Sequence, residues 1–206
     1  VFHGIVIAGT RAKKIRAHSY DAFTSVNFPV LASVHDGHLI RFIPQGNLSG
    51  AVRFQEAMND SIAVLKLIPG SRPGLLEYLF EHYDCLVIES FGLGGIPESI
   101  REEFYAQMRY WESRGKAVVI ATQVMNEGSD MEVYEVGQQV KKDFHLLETY
   151  DMTLEAAVTK MMHLMALYPG DNEAVRENFY HAVNYDILYR QSVDAGHRMQ
   201  DSVLTV

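Results

Sequence analysis

Short apolar runs alternate with helical patterns from about residue 63 onward, and this alternation restricts the fold more than any other feature of the sequence. The runs at 63–68, 85–88 and 117–121 are almost continuously apolar, which is typical of strands buried on both faces of a sheet. Amphipathic helical patterns at 75–82 and 97–114 separate these runs. Because parallel neighbouring strands need crossover segments of this kind, the sequence predicts a parallel α/β sheet with helices on both faces.

Two more helices are predicted after the third strand. Asp151 and Thr153 are residue types that cap helix N-termini, and an apolar stripe follows them at Leu154, Val158, Met161 and Met165. A further helix is predicted over residues 172–188. These segments extend the predicted α/β unit, which we place at 63–206.

The first part of the chain has a different pattern. Short apolar runs that are typical of strands occur at 5–7, 29–34 and 39–43. The sequence His35-Asp-Gly-His38 between the last two runs predicts a hairpin turn. Residues 44–62 mix glycine, serine, asparagine and charged residues without periodicity. We therefore interpret 44–62 as a linker between a first unit at 1–43 and the α/β unit.

The overall charge argues against nucleic acid as a partner. The chain carries a net charge of -8 and has no basic stripe, whereas nucleic-acid binding depends on clustered cations that neutralise phosphates. No apolar stretch approaches the roughly 20 residues that a membrane-spanning helix needs. We therefore expect neither a nucleic-acid partner nor a membrane partner.

Two loops that contain glycine and polar residues follow strands of the predicted sheet, at 89–98 and 122–128. In open parallel sheets, ligands bind at the carboxyl edge, where such loops converge. A dinucleotide site is disfavoured because Pro97 replaces the third glycine of G-x-G-x-x-G, and because Glu89 and Glu98 would repel a pyrophosphate. The two loops remain candidates for binding another small ligand.

Two further groups of polar side chains have ordinary structural explanations. His35 and His38 have no evident third ligand, so they indicate a polar hairpin turn and not a metal site. Lys13 and Lys14 form a short basic run, and a lysine run by itself usually marks a solvated surface. We accordingly predict no metal ion.

Taken together, several stretches resemble the type I (bacterial cytoplasmic) L-asparaginases in the right order and at the right spacing. They include Gly9-Thr-Arg-Ala-Lys-Lys14, Asp21-Ala-Phe-Thr-Ser-Val-Asn-Phe-Pro29 and Asp151-Met-Thr-Leu-Glu-Ala-Ala-Val-Thr-Lys160, with shorter matches at 1–4, 65–70, 89–95 and 122–123. Each stretch alone is a modest signal. Their collinearity over about 160 residues is specific.

The resemblance implies a fold and an activity. Residues 1–43 would be the C-terminal remnant of the family's larger N-terminal catalytic domain, and 63–206 its small, flavodoxin-like parallel α/β domain. The family hydrolyses L-asparagine to L-aspartate and ammonia without a cofactor or a metal. The resemblance also implies a cytoplasmic homodimer or homotetramer, and the single cysteine, Cys85, is compatible with a reducing compartment.

The resemblance assigns one catalytic residue to this chain. The family's catalytic groups are two threonines, a lysine and an aspartate, and alignment on Ser25-Val-Asn27 places the lysine at Lys14. A nearby ammonium favours an alkoxide-like hydroxyl, and a desolvated lysine can transfer a proton. The T-G-G-T and G-T-D signatures that hold the other groups do not occur in the 206 residues. We therefore expect a fragment that lacks the nucleophile, needs the missing N-terminal segment and is inactive alone.

The carboxyl-edge loops contain the candidate substrate- or effector-binding residues Ser90, Gly95 and Thr122. Some family members have a regulatory asparagine site formed by an arginine, an asparagine, a threonine and a cysteine. The matching positions here are Glu89, Gly95, Thr122 and Val124, so that only the threonine is retained. An anion in place of the cation would repel the ligand's carboxylate, and we therefore expect a hyperbolic dependence on asparagine.

Two other functions remain open from the sequence. The same domain could belong to the amidase subunit of a tRNA-dependent amidotransferase, for which a tRNA-facing basic surface would be expected. Alternatively, the chain could be a non-catalytic α/β module that binds a small ligand at the loop 92–97. The residues upstream of Val1 would discriminate among the three, since only the two enzymes require the threonine signatures.

Overall fold

The computed structural model describes residues 1–44, 54–133 and 135–188. The strands are β1 (Ile5–Val6), β2 (Ala12–Lys14), β3 (Phe23–Ser25), β4 (Ala32–His35), β5 (His38–Arg41), β6 (Ile62–Lys66), β7 (Cys85–Ser90), β8 (Ala117–Thr122) and β9 (Leu147–Glu148). The helices are α1 (Gly74–His82), α2 (Glu98–Glu112), α3 (Glu135–Asp143), α4 (Leu154–Leu167) and α5 (Asn172–Phe179).

The C-terminal part of the chain is built on a parallel sheet of four strands in the order β6-β7-β8-β9. In the centre of the sheet, Ile88 is paired with Leu65 on one side and Ile120 on the other. The predicted parallel α/β fold is therefore confirmed. Strand β9 has only two residues and was not predicted, because so short a segment gives no periodic signal.

Helices cover both faces of this sheet. Leu86 and Ile88 point to the face covered by α1, α2 and α3, whereas Cys85 and Val87 point to the face covered by α4 and α5. All four side chains are at most 1% exposed. The continuous apolar run in the sequence thus reflects burial on both faces, since successive residues of a strand point in opposite directions.

The first 44 residues form two small antiparallel sheets, one in the order β1-β4-β5 and one that joins β2 to β3. The predicted hairpin is present: His35 pairs with His38 across a turn in which Asp36 and Gly37 have φ values of 46° and 77°. Positive φ at both central residues suits a two-residue hairpin, and aspartate and glycine tolerate it best.

Two outcomes concern the predicted boundaries. The prediction of one helix over 172–188 is wrong beyond Phe179, because Asn184 and Tyr185 have φ values of 49° and 63°, which a right-handed helix does not allow. Of the predicted linker at 44–62, residues 45–53 lie outside the described part of the chain, and the domain boundaries stay a prediction.

In the described part of the chain, every helix is too short or too polar to cross a membrane.

Candidate functional site

Lys14 lies at the end of β2, where its side chain is exposed. Its backbone position is fixed by the antiparallel ladder, in which Lys14 faces Phe23 and Lys13 faces Thr24. Among the residues that the structure describes, no carboxylate lies within ion-pair distance of the Lys14 ammonium. Lys14 is thus an accessible cation on a fixed strand.

Arg11, three residues before Lys14, is fully buried. One terminal nitrogen of its guanidinium lies 2.8 Å from Asp151 Oδ2, and the other donates to the Asp151 carbonyl at 2.6 Å. Its Nε donates to the carbonyl of Tyr185. The planar fork of an arginine suits such a set of acceptors, and a buried guanidinium needs them to offset its desolvation. Sequence reasoning did not assign any role to Arg11.

The same region contains a second, exposed ion pair. Lys13 Nζ lies 2.5 Å from Glu155 Oε1, and the two side chains are 31% and 56% exposed. Lys13 thus lies at the surface in an ion pair with Glu155, which belongs to the first turn of α4. An exposed pair of this kind contributes little stability, typically about 0–1 kcal/mol.

Thr153 caps α4 and also contacts the N-terminal region. Its Oγ1 accepts a hydrogen bond from the Ala156 amide at 3.2 Å and donates to the Thr10 carbonyl at 2.9 Å. The prediction that Thr153 caps a helix is thus confirmed. Asp151, the other predicted cap, instead binds Arg11 and accepts from the Leu188 amide at 3.1 Å.

Asn27 connects the strand pair β2–β3 to the C-terminal region from the opposite end. Its Nδ2 donates to the Asp151 carbonyl at 3.2 Å, and its Oδ1 accepts from the Glu127 amide at 2.9 Å. The neighbouring ring of Phe28 stacks on Tyr185 with centroids 4.7 Å apart. The segment that bears Lys14 is therefore held by polar contacts on both sides.

The structure brings Ser90, Gly95 and Thr122 together at the carboxyl edge of the sheet. Ser90 and Thr122 are paired on β7 and β8, and Gly95 forms an isolated bridge with Phe91 in the following loop. The Ser90 hydroxyl is fully buried and donates to the Ala121 carbonyl at 2.6 Å. The Thr122 hydroxyl donates to the Gly92 carbonyl at 2.5 Å. Both hydroxyl protons are used inside the protein.

Gln123, the residue after Thr122, has a structural role at this edge that the sequence did not indicate. Its Nε2 donates to the carbonyl of Leu67 at 2.6 Å and to that of Glu89 at 2.9 Å. The side chain therefore joins the ends of β6 and β7 to the loop after β8. Only the order of the strands in the sheet brings these carbonyls together.

A buried ionisable cluster surrounds Glu148 on β9. Its carboxylate is 1% exposed, lies 2.5 Å from Lys141 Nζ and accepts a hydrogen bond from the Met131 amide at 2.9 Å. Burial raises the pKa of Glu148, although Lys141 opposes the shift. Burial also raises the pKa of Tyr180, whose hydroxyl accepts from the Glu148 amide, to about 12. Sequence reasoning missed this cluster because it predicted neither α3 nor β9.

Comparison with known proteins agrees with this architecture. The family model for the glutaminase/asparaginase C-terminal domain matches residues 61–179, and that for the asparaginase N-terminal domain matches residues 1–45. An L-asparaginase of Thermococcus kodakarensis is 32% identical over 174 residues, which are 84% of this chain and 51% of the relative. A glutamyl-tRNA(Gln) amidotransferase subunit of Thermoplasma acidophilum is 26% identical over 169 residues, 82% of this chain and 40% of that protein.

The solved structure of the thermostable L-asparaginase from Thermococcus kodakarensis has the same fold. It superimposes with a TM-score of 0.83 and 27% sequence identity, covering 92% of this chain and 56% of that one. The chain thus spans about half the length of the relatives it matches. These likenesses confirm the resemblance found in the sequence, and the C-terminal model alone matches more than half of the chain. The chain belongs to the glutaminase/asparaginase family.

Proposed function

We propose that this chain forms part of an L-asparaginase in which Lys14 is a catalytic residue. The observation that supports this proposal best is the difference among the three cations of the segment 11–14. Arg11 and Lys13 are engaged by Asp151 and Glu155, whereas the Lys14 ammonium is exposed and has no carboxylate partner within the described residues. It is therefore available to a reacting group.

The proposed reaction is hydrolysis of the side-chain amide of L-asparagine. A threonine hydroxyl attacks the amide carbon, ammonia leaves, and an ester to the enzyme forms. Water then cleaves the ester, which releases L-aspartate and restores the hydroxyl. The Lys14 ammonium would stabilise the alkoxide-like oxygen of the threonine and assist proton transfer. No metal or cofactor enters this sequence of steps.

We propose that a segment outside the 206 residues supplies the nucleophile and the aspartate, since the threonine signatures of the family do not occur among these residues. We therefore propose that residues 1–43 complete an N-terminal catalytic domain and that 63–206 form the smaller C-terminal domain, joined by 44–62. The 206 residues alone would be inactive. By analogy with the family, we propose a cytoplasmic homodimer or homotetramer.

The carboxyl edge of the sheet is proposed as a weak or absent effector site. Ser90, Gly95 and Thr122 were candidates for binding substrate or effector, but both hydroxyl protons are donated to backbone carbonyls. Glu89 also stands where an effector carboxylate would need a cation. A ligand would have to break these bonds before it could use either hydroxyl, so hyperbolic kinetics is the expected behaviour.

A second candidate function is favoured by the amidotransferase relative. The Thermoplasma acidophilum protein is named as a subunit of glutamyl-tRNA(Gln) amidotransferase, so an amidase that supplies ammonia to a second reaction is the alternative. The net charge of -8 disfavours direct binding of tRNA by this chain. The alternative predicts release of ammonia from glutamine that depends on tRNA and a partner subunit.

The test is the change Lys14→Met in a protein that joins this chain to a segment with the threonine signatures. General acid–base and electrostatic contributions are typically worth about 10² to 10⁴ in rate, so we expect kcat for asparagine to fall at least about 10²-fold. Lys13→Met is the matched control and should keep near-normal kcat. Near-normal activity of Lys14→Met, or ammonia release by residues 1–206 alone, would contradict the proposal.

A further inference from the structure

We propose that Arg11 is a positioning residue that sets the location of Lys14 through its buried ion pair with Asp151. This inference rests on the proposed function of Lys14. Arg11 itself is fully buried, so it would act on the reaction only through the strand that it holds. The C-terminal region would thereby determine where the catalytic ammonium lies.

The backbone connects the two side chains rigidly. Arg11 is the last residue of a 3₁₀ turn at Gly9–Arg11, and β2 begins at the next residue. The Arg11 carbonyl accepts a hydrogen bond from the Val26 amide at 2.9 Å, which continues the ladder between β2 and β3. Three residues of extended strand span about 10 Å. A displacement of Arg11 is therefore transmitted along β2 to Lys14.

The C-terminal region is shaped to receive this arginine. Asn184 and Tyr185 have φ values of 49° and 63°, and their carbonyls accept hydrogen bonds from the Thr10 hydroxyl and from Arg11 Nε. Left-handed conformations of residues other than glycine persist only where the surroundings enforce them. The next residue, Asp186, forms a buried ion pair with Lys160 at 2.8 Å, which anchors the turn to α4.

The chemistry of the contact favours a role in positioning over a role in stability. Buried ion pairs are often no more stabilising than apolar packing, because the charges must first be removed from water. Their strict geometry, however, specifies a single arrangement of the two groups. Arg11 contacts three acceptors on two segments of the C-terminal region, whereas a lysine would present only a point charge.

The first test measures hydrogen exchange of residues 1–206 in peptides that cover β2 and β3. Arg11→Met should speed exchange there at least tenfold, while Lys13→Met, which breaks the exposed ion pair beside it, should leave exchange within twofold of the original protein. If Arg11→Met fails to fold by circular dichroism, Asp151→Asn removes the charge and keeps the carbonyl acceptor. Unchanged protection of β2 and β3 in a folded variant would overturn the proposal.

The second test measures asparagine hydrolysis in the protein joined to the threonine signatures. Arg11→Met should lower kcat at least tenfold, leave KM within about twofold and change the pH dependence of kcat. The control Lys13→Met should leave kcat, KM and the pH dependence of kcat unchanged. A purely structural role would reduce the active fraction without moving the pH profile, and that result would overturn the proposal. If the original protein releases no ammonia, the proposed function fails and the catalytic inference fails with it, whereas the exchange result still shows whether Arg11 holds β2.

Discussion

The N-terminal and C-terminal regions of the molecule are held together in different ways. Within residues 1–44, all of which the structure describes, the buried apolar side chains are Ala8, Ala22, Val26 and Ala32. The C-terminal region instead buries two large apolar clusters, one on each face of its sheet, with side chains such as Phe80, Phe104 and Phe179. Since stabilisation follows the apolar area removed from water, the C-terminal region contributes most of the stability of residues 1–206.

What the N-terminal region lacks in apolar contact it replaces by directional contacts. Its hairpin exposes Val34, Leu39, Ile40 and Phe42 by 36% to 55%. Its attachment to the C-terminal region includes polar contacts of Thr10, Arg11 and Asn27 beside the stacking of Phe28 on Tyr185. Apolar packing tolerates small displacements, whereas a charged hydrogen bond loses strength quickly with distance and angle. We infer that the C-terminal region supplies most of the stability, whereas the polar contacts of the N-terminal region fix its position.

The largest expected effect comes from a change in the C-terminal core. Phe179, the last residue of α5, is fully buried in the apolar cluster on that face of the sheet. Phe179→Ala should lower the free energy of unfolding by about 3–5 kcal/mol because of the cavity it leaves. Phe42→Ala, at a side chain that is 55% exposed, is the matched control and should cost at most about 0.5 kcal/mol. Urea unfolding followed by circular dichroism measures both. If both variants lowered the free energy of unfolding equally, the hairpin would have a hydrophobic core of its own.

A smaller effect is expected from two glycines with positive φ. Gly128 has a φ of 100°, and an added Cβ would lie 2.3 Å from the Tyr150 carbonyl oxygen. Gly128→Ala should therefore destabilise by more than about 2 kcal/mol, since the backbone must move. Gly37 in the hairpin turn has a φ of 77° and open space around it, so Gly37→Ala should cost only the left-handed conformation, about 1 kcal/mol. A reversed order in thermal unfolding would contradict the steric argument.

The smallest effect concerns the ion pair between Lys141 and the buried Glu148, both in the C-terminal region. Burial raises the pKa of Glu148, so between the usual glutamate pKa and the raised value the folded protein binds more protons than the unfolded one. The unfolding free energy should therefore fall as pH rises through this window, by at most about 1.4 kcal/mol per pH unit. Glu148→Gln should remove that slope.

Glu132→Gln is the control for this measurement. Its exposed carboxylate lies 3.3 Å from Nζ of Lys141, the lysine that also pairs with Glu148. Replacing Glu132 should therefore leave the dependence of the unfolding free energy on pH in place. Denaturant titrations at several pH values measure the unfolding free energy of both variants. A slope that survives in Glu148→Gln would mean that another group titrates in this window.

The sequence by itself determined the features that depend on local pattern. Continuous apolar runs predicted the buried strands β6, β7 and β8, the residue types around Asp36 and Gly37 predicted the hairpin, and Thr153 marked the start of α4. Each of these depends on neighbouring residues, whose periodicity and backbone preference are visible in the sequence. The family resemblance also came from matching motifs in the sequence, and the catalytic role of Lys14 stays a prediction from those motifs.

Only the tertiary structure decided which polar groups meet. Arg11 and Asp151 are 140 residues apart in the chain, and no local sequence pattern shows that Arg11 is buried while Lys13, two residues later, reaches the surface. The chain likewise leaves helical geometry after α5, where Asn184 and Tyr185 have positive φ values and the Tyr185 carbonyl accepts a hydrogen bond from the distant Arg11. A buried polar group is stable only with its specific partner, and the partner is chosen by how the chain folds in space.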